Sequence, residues 1–177
     1  SLTPWTMINK LKRGDVKKYR VVIPEDLSLE EIADILAKDK LIDKEQFFDL
    51  AKDKKFLESL NIKADSIEGY LFPDTYDFNR SMNTGRIMKR MVDTFWKKVT
   101  PSMIKRAKDL NLDLHQLVTF ASIIGKESGY NFEKPFIAAV FSNRMKKGMR
   151  LQSDPTAVYD MDGFEGKVLR SHLRRNS

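Results

Sequence analysis

The sequence has no cysteine and only two histidines, His115 and His172. Without cysteine, a disulfide-stabilised scaffold and a thiolate metal site are excluded. With so few histidines, we expect neither a His-rich metal site nor a Ser-His-Asp triad. The sequence also lacks any run near the ~18 consecutive apolar residues that a membrane span requires. It shows no internal repeat and no low-complexity linker. We therefore expect no metal, no cofactor and no membrane-spanning helix within these residues.

Its 177 residues suit one domain, or one domain with a small appendage. Hydrophobic residues make up 41%, which is enough to bury a core and excludes a disordered tail. The formal net charge is +7, and residues 84–112 alone hold eight Lys or Arg against two Asp. Basic helices are compatible with nucleic acid, a membrane surface or an anionic polymer, but no nucleic-acid-binding motif accompanies the charge. A solvated face of a basic protein is favoured, and we expect no nucleic-acid partner.

The first 65 residues combine a strand pattern with helix signals. Residues 18–24 alternate and are rich in β-branched side chains, which predicts a strand. Ser28 followed by Glu31 has the spacing of a capping box, so a helix is predicted to begin there. Residues 44–61 have the apolar spacing of one or two short helices. This portion is therefore expected to be a small α/β unit.

Beyond residue 66 the pattern is mainly helical. Residues 84–99 have the spacing of an amphipathic helix. Its apolar face is formed by Ile87, Met91, Val92 and Phe95. Further helices are predicted over residues 101–110, 112–128 and 133–147, with a short one that has Asp154 as its N-cap. The expected fold class is α+β, with residues 1–65 and 66–177 as its two parts.

Glu127 is the strongest candidate for acid–base chemistry. It lies in the last turn of an unusually apolar predicted helix, on the same side as Phe120 and Ile124. Apolar neighbours and the negative end of the helix dipole both disfavour a charged carboxyl, which suits a general acid. The alternative is a surface glutamate paired with Lys126 or Lys134, and spacing alone favours that alternative.

Residues 152–156 form a polar loop that leads into the short predicted helix. Side chains on such a loop can hydrogen-bond a sugar or a phosphate. The alternative is simple capping of the helix by Asp154.

Three aromatic residues surround Pro73 in a turn-forming segment. They are Tyr70, Phe72 and Tyr76. Their rings suit either stacking on sugar faces or a place in the core, and the core is favoured for Phe72.

Four sequence blocks together carry a resemblance to one family. Residues 68–76 read EGYLFPDTY, residues 121–128 ASIIGKES, residues 140–145 VFSNRM and residues 149–156 MRLQSDPT. In this order and spacing they resemble the MltG (YceG-like) endolytic murein transglycosylases. Gly125 departs from the family pattern, which usually has a glutamate there.

The resemblance implies a fold and a cellular setting. It implies that residues 1–65 are the remnant of a LysM-like subdomain with connecting helices, and that residues 66–177 are a lysozyme-related catalytic domain. The family pattern continues beyond residue 177, so the C-terminal part of that domain is expected to be missing. An inner-membrane anchor with the catalytic domain in the periplasm is expected in the full-length protein, and the anchor is expected to lie outside these residues.

The resemblance also implies an activity. Such enzymes are lyases that cleave the β-1,4 bond between N-acetylmuramic acid and N-acetylglucosamine in nascent peptidoglycan. They leave a 1,6-anhydromuramoyl end and so terminate strand elongation. The expected partners are peptidoglycan glycan strands and the penicillin-binding synthases, with no cofactor. The alternative function is a non-catalytic peptidoglycan-binding module in which Glu127 is only structural.

Site residues follow from the same resemblance. Glu127 matches the family's catalytic glutamate, which is followed by Ser or Thr and acts alone as general acid and base. The expected substrate-binding residues are Gln152, Asp154, Thr156, Glu133, Ser128 and Tyr70.

Overall fold

A computed structural model describes residues 4–13 and 16–157 of the chain. The chain divides into two compact units, residues 1–103 and 104–177. In chain order the described elements are α1 (Pro4–Arg13), β1 (Tyr19–Val22), α2 (Leu29–Lys38), α3 (Lys44–Lys52), α4 (Lys54–Ser59), β2 (Thr75–Phe78), α5 (Thr84–Lys98), α6 (Pro101–Asp109), α7 (Leu114–Glu127), α8 (Lys134–Lys146) and a 3₁₀ helix (Asp154–Ala157). This mainly helical architecture with one small sheet confirms the α+β class.

The sheet of the first unit has two antiparallel strands in the described residues. Tyr19 of β1 lies opposite Phe78 of β2, and Val22 lies opposite Thr75. The strand predicted over residues 18–24 is confirmed. Strand β2 was not predicted from the sequence, because its four residues follow a turn-forming segment and their partner strand lies far earlier in the chain.

The core of the first unit is built around α5. Ile87, Met88, Met91 and Val92 are fully buried, and Phe95 is nearly so. The indole Nε1 of Trp96 donates to the carbonyl of Leu60 at 2.9 Å. The predicted apolar face of this helix is confirmed, since residues three and four apart turn to the same side.

Local capping sets the start of α2. The hydroxyl of Ser28 accepts from the backbone N–H of Glu31 at 3.3 Å. In return, Oε2 of Glu31 accepts from the backbone N–H of Ser28 at 2.7 Å. The predicted capping box is therefore present, and it satisfies two N–H groups that the helix itself leaves without partners.

The aromatic segment near Pro73 contributes to the same core. Tyr70 and Tyr76 are buried, whereas Phe72 is half-buried. The hydroxyl of Tyr76 donates to the carbonyl of Phe72 at 2.6 Å. Burial raises the pKa of Tyr76, because the phenolate form would lose its hydration.

The second unit has its own apolar cluster in the described residues. Phe120 and Ile124 of α7 pack against Phe141 of α8. Ile123, Ile137, Ala138 and Leu151 cover this cluster in part. The cluster fixes α7, α8 and the loop that follows α8 as one assembly.

The first compact unit reaches residue 103, whereas the predicted boundary between the two parts lies at residue 65. The assignment of the two parts to family subdomains stays a prediction.

Within residues 4–13 and 16–157, no helix combines the length and apolarity needed to cross a lipid bilayer.

Candidate active site

Helix α7 brings Glu127 to the surface of the second unit. The helix begins at a capping box in which Asp113 Oδ1 accepts from the N–H of Gln116 at 2.8 Å. It ends at Glu127, and the following Ser128 has an extended backbone. Because Phe120 and Ile124 are buried in the core, the second half of the helix, which ends at Glu127, is held in place.

The carboxylate of Glu127 is held by a buried hydroxyl. Ser153 Oγ donates to Glu127 Oε2 at 2.7 Å. Ser153 is only 3% exposed, whereas Glu127 is exposed. Of the two interpretations drawn from spacing, the surface glutamate agrees with this exposure, and the carboxyl desolvated by Phe120 and Ile124 does not, because both apolar side chains turn into the core. The carboxylate is oriented by a hydrogen bond and open to solvent.

Ser153 belongs to the loop that links α8 to the 3₁₀ helix. Its carbonyl accepts from the backbone N–H of Thr156 at 3.2 Å and from the Thr156 hydroxyl at 2.7 Å. The 3₁₀ helix begins at Asp154, so Ser153 occupies the N-cap position that the sequence analysis gave to Asp154. Thr156 therefore holds the loop, and the side chains of Gln152, Asp154 and Thr156 are all exposed on it.

The end of α8 fixes the other side of this loop. Gly148 follows the helix with a φ of 64°, a left-handed conformation that glycine adopts without strain. The backbone N–H of Met149 then donates to the carbonyl of Arg144 at 2.9 Å. The Arg144 guanidinium Nη1 donates to the carbonyl of Leu151. Arg144 thus clamps the chain directly before Gln152.

A second carboxylate follows Glu127 closely in the chain. The hydroxyl of Ser128 donates to Glu133 Oε2 and accepts from the backbone N–H of Tyr130 at 3.1 Å. Ser128 is buried and Glu133 is half-buried. Glu133 lies at the N-cap position of α8, where the helix dipole favours a negative charge. The hydrogen bond from the Ser128 hydroxyl to the Glu133 carboxylate therefore joins the two ends of the turn from residue 128 to 133.

Two further residues were singled out from the sequence. Tyr70 is in the first unit with 2% of its surface exposed. Its ring packs edge-on against the ring of Phe95, with the two ring centroids 5.1 Å apart. Gly125 is buried in the last turn of α7. The other predicted site residues all belong to the second unit.

Ser153 and Arg144 received no role in the sequence analysis. Both lie inside blocks that carried the resemblance, VFSNRM and MRLQSDPT. Their position inside these blocks was the sign in the sequence that the two residues could matter. Spacing along the chain, however, does not show which carboxylate a loop hydroxyl reaches.

The arrangement can hold a proton donor in a fixed orientation. An exposed carboxyl with one oxygen anchored is suited to give a proton to a bound group and take one back. Among residues 4–13 and 16–157, no group of three or more His, Asp or Glu side chains is placed to hold a metal ion.

Comparison with known sequences agrees with the resemblance. The sequence model of the YceG-like family matches residues 1–177. An endolytic murein transglycosylase of Bacillus subtilis (strain 168) is 31% identical over 192 residues, covering 97% of this chain and 52% of that protein. An endolytic murein transglycosylase of Streptococcus pneumoniae serotype 2 (strain D39 / NCTC 7466) is 30% identical, covering 90% of this chain and 33% of that protein. The chain thus spans about half the length of the first relative.

Comparison with solved structures agrees as well. The crystal structure of the yceG-like protein lmo1499 from Listeria monocytogenes superposes with a TM-score of 0.79 at 28% identity. The match covers 100% of this chain and 64% of that one. The family resemblance drawn from the four sequence blocks is confirmed, and the chain belongs to the YceG-like family.

Proposed function

We propose that this chain carries the catalytic carboxyl of an endolytic murein transglycosylase. The reaction is a lyase cleavage of the β-1,4 bond between N-acetylmuramic acid and N-acetylglucosamine in nascent glycan strands. It leaves a 1,6-anhydromuramoyl end and terminates elongation of the strand. The observation that carries the proposal is the exposed Glu127 carboxylate, oriented by the buried Ser153 hydroxyl at 2.7 Å. The names of the B. subtilis and S. pneumoniae relatives support it.

A single carboxyl is sufficient for this chemistry. Protonated Glu127 gives its proton to the glycosidic oxygen, and the bond from that oxygen to C1 of the muramoyl sugar breaks. An oxocarbenium-like centre develops at C1. The C6 hydroxyl oxygen of the same sugar then bonds to C1, and its proton passes to the Glu127 carboxylate. No water is consumed, and Glu127 returns to its protonated form.

The neighbouring residues supply binding and support. Gln152 and Asp154 are exposed on the loop beside Glu127, where an amide and a carboxylate can hydrogen-bond sugar hydroxyls and acetamido groups. Thr156 holds the loop through its bond to the Ser153 carbonyl at 2.7 Å. Ser128 and Glu133 fix the turn that follows Glu127. A substrate role for Tyr70 stays a prediction of the resemblance alone.

The setting of the activity is part of the same proposal. Residues 1–65 would derive from a LysM-like subdomain with connecting helices, and residues 66–177 from a lysozyme-related catalytic domain. The full-length protein would be held by a single inner-membrane helix, with these residues in the periplasm. Its partners would be nascent peptidoglycan and the penicillin-binding synthases that make it. The proposal draws these features from the family resemblance.

The test is mass spectrometry of peptidoglycan glycan strands incubated with the chain and with Glu127→Gln. We expect anhydromuramoyl products from the parent protein and none from the variant, which keeps the shape of the side chain but cannot donate a proton. Because the chain spans 52% of its B. subtilis relative, a longer version is assayed in parallel. Strand binding without product from either length would refute the enzyme and support the non-catalytic binding module.

A further inference from the structure

Helix α8 carries apolar side chains on its outer face as well as on the face that packs against the core. Ile137, Ala138 and Phe141 face the core of the second unit. On other faces, Phe136 is 72% exposed and Val140 is 50% exposed. A helix on the surface of a protein normally carries polar side chains on its outer face. Among the described residues, nothing covers this outer face of α8.

Two more exposed rings precede this face. Tyr130 is 65% exposed and Phe132 is 70% exposed, and their ring centroids lie 5.7 Å apart. Their planes are tilted by 41° rather than stacked, so the two rings do not cover each other. We call Tyr130, Phe132 and Phe136 the aromatic platform. Exposed aromatic side chains grouped in this way mark binding surfaces.

The platform is joined to the candidate active site by hydrogen bonds. The backbone N–H of Tyr130 donates to the Ser128 hydroxyl at 3.1 Å, and Ser128 directly follows Glu127. The N–H of Glu133 donates to the carbonyl of Tyr130 at 3.0 Å, which closes the turn that carries Phe132. A polymer bound at Glu127 extends beyond the bond that is cleaved, and this turn begins at the residue that directly follows Glu127.

We infer that the aromatic platform is a subsite that stacks on sugar rings of the glycan strand beside the bond that is cleaved. This inference takes its ligand from the proposed function. A pyranose ring presents an apolar face of C–H groups and an edge of hydroxyls. Aromatic rings bind the face, and polar groups such as Glu133 and Asn131 are available for the edge. Aromatic side chains that hold successive units of a polymer work in the same way on nucleic-acid bases.

Other occupants fit the platform less well. A membrane surface is bound through several Lys or Arg beside apolar side chains, but residues 127–137 contain one basic residue, Lys134. A second copy of the chain would need about 800 Å² of contact on each partner. Three partly exposed rings offer only roughly 300–500 Å².

The test compares two double variants in a Glu127→Gln background, where no strand is consumed. Tyr130→Leu/Phe132→Leu removes both rings and keeps apolar side chains. Tyr130→Phe/Phe132→Tyr keeps both rings and serves as the matched control. Affinity for peptide-free glycan strands is measured by isothermal titration calorimetry. We expect the leucine variant to bind about tenfold more weakly or worse, and the control to bind as the parent does.

The possible results separate this inference from the proposed function. Equal binding by the leucine variant would overturn the platform, whatever the enzyme does. Ring-dependent binding without anhydromuramoyl product from either length of the protein would uphold sugar stacking on the platform and refute the lyase. If gel filtration showed a dimer lost in the leucine variant, or if only phosphatidylglycerol vesicles bound in a ring-dependent way, the sugar assignment would be wrong. Circular dichroism of both variants confirms that they fold.

Discussion

The Ser153 hydroxyl donates a hydrogen bond to Oε2 of Glu127 at 2.7 Å, although the two residues lie 26 positions apart in the chain. The donor is buried and the acceptor is exposed. The bond therefore does little to satisfy a buried charge. It limits the orientations of a carboxylate that would otherwise rotate freely in water. In a reaction that depends on one carboxyl, that limit favours a productive position for proton transfer.

Replacing Ser153 with alanine tests this relationship. We expect Ser153→Ala to lower kcat for anhydromuramoyl product by about tenfold or more, with little change in KM, because only the orientation of the acid is lost. The free energy of unfolding should change by less than ~1 kcal/mol, since water can replace the lost partner of an exposed carboxylate. Ser153→Thr keeps the hydroxyl and should recover most of the rate. An unchanged kcat in Ser153→Ala would show that Glu127 needs no such support.

Arg144 should control the order of the loop that carries Ser153. We expect Arg144→Met to speed amide hydrogen exchange at Ser153 and Thr156, because the Leu151 carbonyl loses its donor. Activity should fall along with this loss of order. Lys146→Met removes an exposed positive charge from the same helix and should leave both measurements unchanged. Equal exchange rates in the two variants would contradict a clamping role for Arg144.

Substitutions of Gln152 should change glycan affinity more than they change the free energy of unfolding. Its φ of 54° is a left-handed conformation that costs a non-glycine residue about 1 kcal/mol. Gln152→Gly relieves this strain but loosens the unfolded chain, so the free energy of unfolding should stay within ~1 kcal/mol of the parent. Glycan affinity should nevertheless fall, since the amide is gone. Gln152→Asn keeps an amide and tolerates this conformation, so it should bind better than the glycine variant in the same titration.

Tyr76 makes a pH-dependent contribution to stability. Its pKa is raised above the ordinary value of 10.0 by burial, so the folded protein holds the phenol proton more tightly than the unfolded chain. This contribution is complete below pH 10 and is lost as pH rises towards the folded pKa. Tyr76→Phe should cost ~1 kcal/mol near neutral pH, where it removes the hydrogen bond to the Phe72 carbonyl. Above pH 10 the difference between parent and variant should shrink.

Urea unfolding across that pH range measures the effect. Lys44, whose pKa is raised mainly by its hydrogen bond to Asp34, is present in both proteins, so its own alkaline effect cancels in the comparison. Tyr130→Phe, at an exposed ring, is the control and should leave the free energy of unfolding unchanged at neutral pH. A difference between Tyr76→Phe and parent that stays constant to the highest pH would refute the assigned contribution.

Much of this protein could be predicted from local sequence. The capping box of Ser28 and Glu31 and the buried face of α5 depend on residues three or four positions apart. Such spacings decide which side chains meet within one turn, whatever the rest of the chain does. Family membership was likewise carried by four short blocks in order, and the family comparison confirmed it.

Tertiary structure decided what local spacing does not contain. It paired β1 with β2, buried the ring of Tyr70, and turned Phe120 into the core so that Glu127 is exposed. It also decided that the Ser153 hydroxyl, rather than another polar group of its loop, reaches Glu127. The sequence by itself determined the helices, because those depend on neighbours along the chain, and its resemblance to the family pointed to Glu127 as the proposed acid. The orientation of the Glu127 carboxylate depends on how α7, α8 and their loop pack together, and only the folded core brings those residues into contact.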